Sequence, residues 1–184
     1  MARLGLDFAT ESADIDESAR PDETPVETAE RLARRKARTV AEDHPQSYVL
    51  GADQTIDIDG TRLTKPGSID KAVEQLQRLS GQTHRLTTAV SLVSPSGQLV
   101  EQKVTFQMVM RDLTDRQIDD YVHEDRPIDC AGSYKIESGG IRLFRSLRGD
   151  DYTAIIGLPL TRVWNILERV DYFAEVNSSS RRTS

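Results

Sequence analysis

Gly51-Ala52-Asp53-Gln54-Thr55-Ile56-Asp57-Ile58-Asp59-Gly60-Thr61-Arg62-Leu63-Thr64-Lys65-Pro66 follows a short apolar run, Tyr48-Val49-Leu50. Ile56-Asp57-Ile58 alternates as a half-buried strand does, and Asp59-Gly60 is a strong hairpin turn signal. A hairpin returns the chain to its start. The spacing therefore predicts Asp53 and Lys65 near one another, at the same end of a two-stranded unit. An acid beside a base at a strand end is suited to handling a metal-bound phosphate and a water, so the stretch points to an enzyme.

Outward from the hairpin, residues 26–43 are rich in Glu, Ala, Leu and Arg and predict a helix with Leu32, Ala33 and Val40 on one side. Residues 68–79 predict a second helix, capped by Ser68, striped with Ala72, Val73, Leu76 and Leu79 and ended by Gly81. Residues 83–93 and 98–110 predict a long antiparallel hairpin around Ser94-Pro95-Ser96-Gly97. A third helix is expected over 114–123. Strands are expected over 130–137, 141–147 and 153–156. A last helix is expected over 158–170, with Leu160, Val163, Trp164 and Leu167 inward. Residues 12–25 form an acidic loop, and residues 177–184, rich in Ser and Arg, are expected to be a disordered tail. Residues 1–8 resemble the last turn of a helix ending at Gly5, followed by a strand start. The fold class is α/β: two lobes on a mixed sheet, in one domain over 1–176.

The chain has 184 residues, 37% of them hydrophobic, enough for a real core in a single domain. A net charge of -6 and a pI near 5.1 argue against a binder of nucleic acid polymers acting through a broad basic face. They leave room for a nucleotide, which needs only a local cluster of cations. One cysteine, Cys130, allows no internal disulfide and fits a reducing compartment. No run is apolar enough to span a bilayer, and residues 1–10 carry no secretory pattern. Cytoplasm is the expected address.

Asp53 is the leading candidate for chemistry; the alternative is a turn aspartate bonding its own backbone. Gly51 and Ala52 lower the bulk around it, which suits close approach by a ligand. Hydrolysis of a phosphoanhydride needs a base to orient water and cations to offset charge. Lys36, between Ala33 and Ala37, and Lys65, before Pro66, supply cations, whereas Arg34, Arg35 and Arg38 are expected on a solvated face. Glu137 lies in the small-residue run Asp129-Cys-Ala-Gly-Ser-Tyr-Lys-Ile-Glu-Ser-Gly-Gly140 and could accept hydrogen bonds from a base edge; otherwise it is a surface glutamate. Cys130 is expected to be a small core residue, and His44, His84 and His123 lack metal-ligand spacing.

Taken together these segments resemble the Maf family of nucleoside triphosphate pyrophosphatases. The resemblance runs from about Leu4 to Leu167. It rests on Ile15-Asp16-Glu17, Leu32-Ala33 with Lys36-Ala37, Gly51-Ala52-Asp53 with Lys65-Pro66, Leu79-Ser80-Gly81-Gln82-Thr83-His84, Ala131-Gly132-Ser133-Tyr134 and Gly157-Leu158-Pro159-Leu160. It implies a two-lobed α/β fold with a deep central cleft, often homodimeric. It also implies cleavage between the α and β phosphates to a nucleoside monophosphate and pyrophosphate, with Mg²⁺ or a similar divalent ion. Asp53 matches the family's proton acceptor. Glu17, Lys36 and Lys65 match residues lining the phosphate and metal end, with Glu17 and Asp53 toward the metal. Gln54 and Glu137 match positions that set base preference, and with Cys-Ala-Gly-Ser-Tyr-Lys they resemble the branch acting on 7-methyl-GTP.

Members of that family begin with a strand and a Ser-x-Ser-Pro-x-Arg loop that grips phosphate. Met1 aligns inside the helix after it, so the resemblance implies that this segment is missing here and that a sheet edge is exposed. The alternative function is then a non-catalytic nucleotide-binding or regulatory protein linked to septum formation. A third reading is a remnant that binds nothing.

Overall fold

A computed structural model describes residues 1–174, and the tail expected over 177–184 lies outside them. The first long element is helix α1, Pro25–Asp43. Thr24 and Glu27 form a reciprocal capping box at its start, and Pro25 occupies the first turn, where its missing N–H costs nothing. Strand β1, Val49–Ile58, and strand β2, Thr61–Leu63, make the expected hairpin. Its turn residues Asp59 and Gly60 both take positive φ, 51° and 77°, the twist that closes a two-residue hairpin. Helix α2, Ile69–Leu79, starts on the Ser68 cap. Strands β3, Thr83–Val93, and β4, Leu99–Met110, form the long hairpin. Helix α3, Asp115–Asp125, has a Thr114–Gln117 capping box, and strand β5, Phe144–Arg148, adds the far edge. Helix α4, Leu160–Arg169, closes the fold.

The five strands lie in the order β2-β1-β3-β4-β5. The α/β class is as expected, while every pairing between described strands is antiparallel rather than mixed. The reason lies in α2. It crosses from β2 to β3, which run in the same direction, but β1 lies between them, so the two never pair. β2 covers only Ile56–Ile58 of β1. Along 49–55, β1 pairs with β3 on one side and with no described strand on the other.

Alternation sorts the sheet into two faces. Ala89 meets Ala29 and Ala33 of α1, so the odd positions of β3 face that helix. The even positions carry both larger cores. Leu86 of β3 and Ile56 and Ile58 of β1 join α2, α3 and Phe144 in one cluster. Val90 and Leu92 join Val163, Ile166 and Leu167 of α4 in the other. These are the two lobes. Between them on the same face stands a polar pair, Gln54 opposite Thr88.

Several local expectations fail for identifiable reasons. No strand follows Gly5, which ends a 3₁₀ turn over Ala2–Leu4. Residues 130–137 hold a 3₁₀ turn at Ala131–Ser133 rather than a strand, because Gly132 and Ser133 take positive φ of 75° and 60°. The strand expected over 141–147 is present as β5 but begins only at Phe144, behind a 3₁₀ turn, Gly139–Leu143. Tyr152–Ile156 is a 3₁₀ helix rather than a strand: buried Asp151 accepts from Thr153 N and Oγ1 and from Thr161 N and Oγ1, drawing the segment onto the start of α4. Trp164 is 37% exposed instead of inward, stacked on Phe173, because Val163, Ile166 and Leu167 fill the core-facing stripe.

Gly51 serves packing rather than ligand approach. A Cβ there would collide with the Ala33 carbonyl oxygen and stand 2.5 Å from Ala37 N. Replacement by Ala must push α1 away from β1. Gly51→Ala is expected to destabilise the protein by about 1–3 kcal/mol, measured by chemical denaturation; an unchanged midpoint would contradict this packing.

Candidate functional site

The close packing of α1 on β1 brings Lys36 over the odd face of β1, where Asp53 projects. Lys36 Nζ donates to Asp53 Oδ1 at 2.8 Å and pairs with Glu17 Oε1 at 2.7 Å. Depth increases from Glu17, 55% exposed at its side chain, through Lys36 at 24%, to Asp53 at 8%. Asp53 Oδ2 is buried with no hydrogen-bond partner among the described residues. Such an orphaned carboxylate oxygen calls for an explanation, because most buried polar atoms are paired.

Depth also orders the electrostatics. Burial lifts the Asp53 carboxyl above the ordinary aspartate range, and the negative charge of Glu17 adds to the rise; Lys36 and Arg62 oppose it without overcoming it. Glu17 is held below the usual glutamate value, first by its hydrogen bond from Lys36, with burial working against. Burial pushes Lys36 down, but its bonds to Asp53 and Glu17 outweigh this and leave it raised. Asp53 is thus a carboxylate whose proton affinity has been increased, as a general base requires.

The loop bearing Glu17 is clamped to α1 by Arg35, which the sequence places on a solvated face, and by Arg31, which sequence reasoning did not single out. Arg35 donates to the Asp16 carbonyl at 3.0 Å, and Arg31 holds both the Ser18 carbonyl, at 2.9 Å, and Glu23. Arg34 makes a two-pronged pair with Glu101 of β4. Only the tertiary approach of an acidic loop to a basic helix reveals these partners.

Asp53 lies inside β1, not after a strand, and its partner is Lys36 rather than Lys65. The β1–β2 ladder ends at Ile56 opposite Leu63, so the hairpin stops pairing before either residue. Lys65 is exposed and acts electrostatically on Glu17. Arg62, which sequence reasoning missed, pairs in register with Asp57 on the Asp53 face and acts on both Glu17 and Asp53. Neither Arg62 nor Lys65 forms an ion pair among the described residues. Asp57 is engaged elsewhere, accepting from Arg85 at 2.7 Å.

Gln54, the next residue of β1, necessarily faces the other side of the sheet. There it lines a cavity of about 220 Å³ with Glu137, Ile56, Leu86, Ile155 and Ile136. Cys130 is half-buried at this cavity rather than in the core. A second, wider opening of about 780 Å³ runs along 48–52 beside the free edge of β1 and includes Lys36. The structure therefore gathers Glu17, Lys36 and Asp53 on one face and Gln54 with Glu137 on the other. The edge of β1 that no described strand pairs lies between the two groups.

No three His, Cys, Asp or Glu side chains converge as a metal site among the described residues. Glu17 and Asp53 do meet around one point, now bridged by Lys36 Nζ, and Asp53 Oδ2 is unpartnered. That donor set fits a Mg²⁺ ion, which commonly takes one or two carboxylates and completes its shell with substrate phosphates and water.

Residues 1–170 match the family described as Maf-like protein. The chain belongs to the Maf-like family. Proteins similar to it include a 7-methyl-GTP pyrophosphatase of Xanthomonas axonopodis pv. citri, 44% identical over 172 residues, covering 94% of this chain and 90% of that protein. Proteins of the same name from Aromatoleum aromaticum and Pseudomonas syringae pv. tomato are each 44% identical over 168 residues, 91% of this chain and 87% and 88% of theirs. No helix among the described residues is long and apolar enough to cross a membrane.

The raised Asp53 carboxyl has two consequences of opposite benefit. Ionisation is harder in the fold than in the unfolded chain, so stability falls as pH rises through the folded value. Asp53→Asn removes that charge and is expected to hold or raise the melting temperature while lowering any turnover by about 10²–10⁴-fold. The acid limb of the wild-type pH–rate profile should lie above the ordinary aspartate range. A limb within that range, or an active Asn variant, would remove Asp53 from the chemistry.

Proposed function

We propose that this Maf-like protein is a nucleoside triphosphate pyrophosphatase, with Asp53 as proton acceptor. The observation that carries this reading is the buried Asp53 carboxylate, one oxygen held by Lys36 and the other unpartnered, with two cations that form no ion pair among the described residues: Arg62, which acts on Asp53 and Glu17, and Lys65, which acts on Glu17. Water attacks phosphorus, its proton passes to Asp53, and the bond to the oxygen bridging the α and β phosphates breaks. The products are a nucleoside monophosphate and pyrophosphate. Lys36 and Lys65 offset the charge of the triphosphate, and Glu17 with Asp53 would hold a divalent ion. Such an ion supplies further charge neutralisation at the phosphates.

The base is read across the edge of β1, by Gln54 and Glu137. A 7-methylguanine ring carries a positive charge that strengthens its N1–H as a donor, which favours an acceptor such as Glu137 at the cavity. The names of the relatives support the same preference. A cytoplasmic homodimer completes the reading; light scattering checks the assembly.

Product analysis by chromatography tests the activity. Incubation with Mg²⁺ and a panel of triphosphates that includes 7-methyl-GTP should give monophosphate and pyrophosphate. Release of orthophosphate, or binding without turnover, would refute it. Lys65→Ala, which removes a charge-assisted contact to phosphate, should raise KM by about tenfold or more.

A further inference from the structure

The Gln54 amide has one possible orientation. Its Nε2 lies 2.8 Å from Thr88 Oγ1, 2.8 Å from the Ala154 carbonyl and 3.5 Å from the Ile155 carbonyl. Carbonyl oxygens only accept. The single hydroxyl proton of Thr88 is already donated to the same Ala154 carbonyl, at 2.9 Å. Turning the amide over would set Oε1 against two carbonyl oxygens and a hydroxyl with no proton left to give. Both amide protons are therefore committed to the protein, and Oε1 is left without a hydrogen-bond donor among the described residues.

The cavity that Gln54 lines has few other polar side chains. Tyr134 OH is engaged by His84 Nε2 at 3.0 Å, and Cys130 Sγ lies 3.6 Å from Asp129 Oδ1. Glu137 is an acceptor, and Ile56, Leu86, Ile136, Ile155 and Ile156 are apolar. The free side-chain polarity of the pocket is thus two acceptors, Gln54 Oε1 and the Glu137 carboxylate.

We propose that Thr88 is a positioning residue for base selection: with the Ala154 carbonyl it holds the Gln54 amide so that Oε1 joins Glu137 in an acceptor wall that selects bases with a donating edge. This rests on the pyrophosphatase reading for the assignment of the cavity to the base. Guanine offers N1–H and a 2-amino group side by side, hypoxanthine offers N1–H alone, and adenine has an acceptor at N1. A site whose acceptors go unpaired discriminates strongly. The order GTP, then ITP, then ATP follows.

Two measurements test the wall separately from the reaction. Calorimetry with the α,β-methylene analogues of GTP, ITP and ATP needs no hydrolysis. Binding should weaken in that order, by about tenfold or more from first to last. Equal or tighter binding of the ATP analogue overturns the proposal even if triphosphates are hydrolysed; the predicted order without hydrolysis overturns only the pyrophosphatase reading. Thr88→Val then tests the positioning. It should raise KM for GTP about tenfold while kcat changes less than about twofold, with the ATP KM unchanged or lower. Thr88→Ser, which keeps the hydroxyl, should restore the wild-type ratio. A ratio of two substrates on one sample does not depend on the fraction folded. If Thr88→Val shifts both KM values together, or Ser fails to restore the ratio, Thr88 does not position Gln54. If Thr88→Val does not fold, Thr88→Ala, which removes the hydroxyl without adding bulk, makes the same test of the KM ratio.

Discussion

Helix α1 lies so close to β1 that the strand can carry no side chain at position 51. Ala33 and Ala37 are fully buried against that glycine, and three small residues in contact bring a helix backbone onto a sheet backbone. Lys36 is one residue from Ala37 on the same turn, so this approach fixes how far its ammonium reaches. It arrives between Glu17 and Asp53 at 2.7 and 2.8 Å. The geometry of the candidate site is thus a consequence of a packing constraint rather than of any local motif.

The cluster is arranged by depth. An acid at the bottom resists ionisation, a base above it is raised by two carboxylates, and the outer acid is lowered by the base. Burying an ion pair is costly unless its remaining hydrogen-bonding capacity is filled. Here one oxygen of Asp53 is unfilled. A protein that needed the group only for stability would satisfy that atom or replace it with an apolar one. Leaving it open is a property of sites that accept a proton or bind a charged ligand.

The same strand serves a different chemistry one residue further on. Gln54 joins the two lobes, because its partner Thr88 sits where the cores around Leu86 and Val90 part, and its acceptor Ala154 belongs to the 3₁₀ segment held onto α4 through Asp151. Strand alternation places Asp53 and Gln54 on opposite faces of β1, at an edge that no described strand pairs.

The helices, the hairpins and the loop were legible in the sequence because their signals are local: capping boxes at Thr24 and Thr114, the Ser68 cap, the Asp59-Gly60 turn, and apolar stripes at helical spacing. Asp53 and Lys36 were legible as candidates from their neighbours on the chain, and Glu17 only by resemblance, all without distances. The 3₁₀ segments at 131–133 and 152–156 were not, because their apolar alternation resembles strand and only Gly132 and the buried Asp151 redirect them. Nor was the choice of Lys36 over Lys65 as the partner of Asp53, the clamping of the acidic loop by Arg31 and Arg35, or the orientation of the Gln54 amide. Sequence alone determined which residues are available and what their neighbours on the chain dictate. Tertiary structure decided which charges meet and which hydrogen bonds are already spent, since both depend on contacts between segments tens of residues apart.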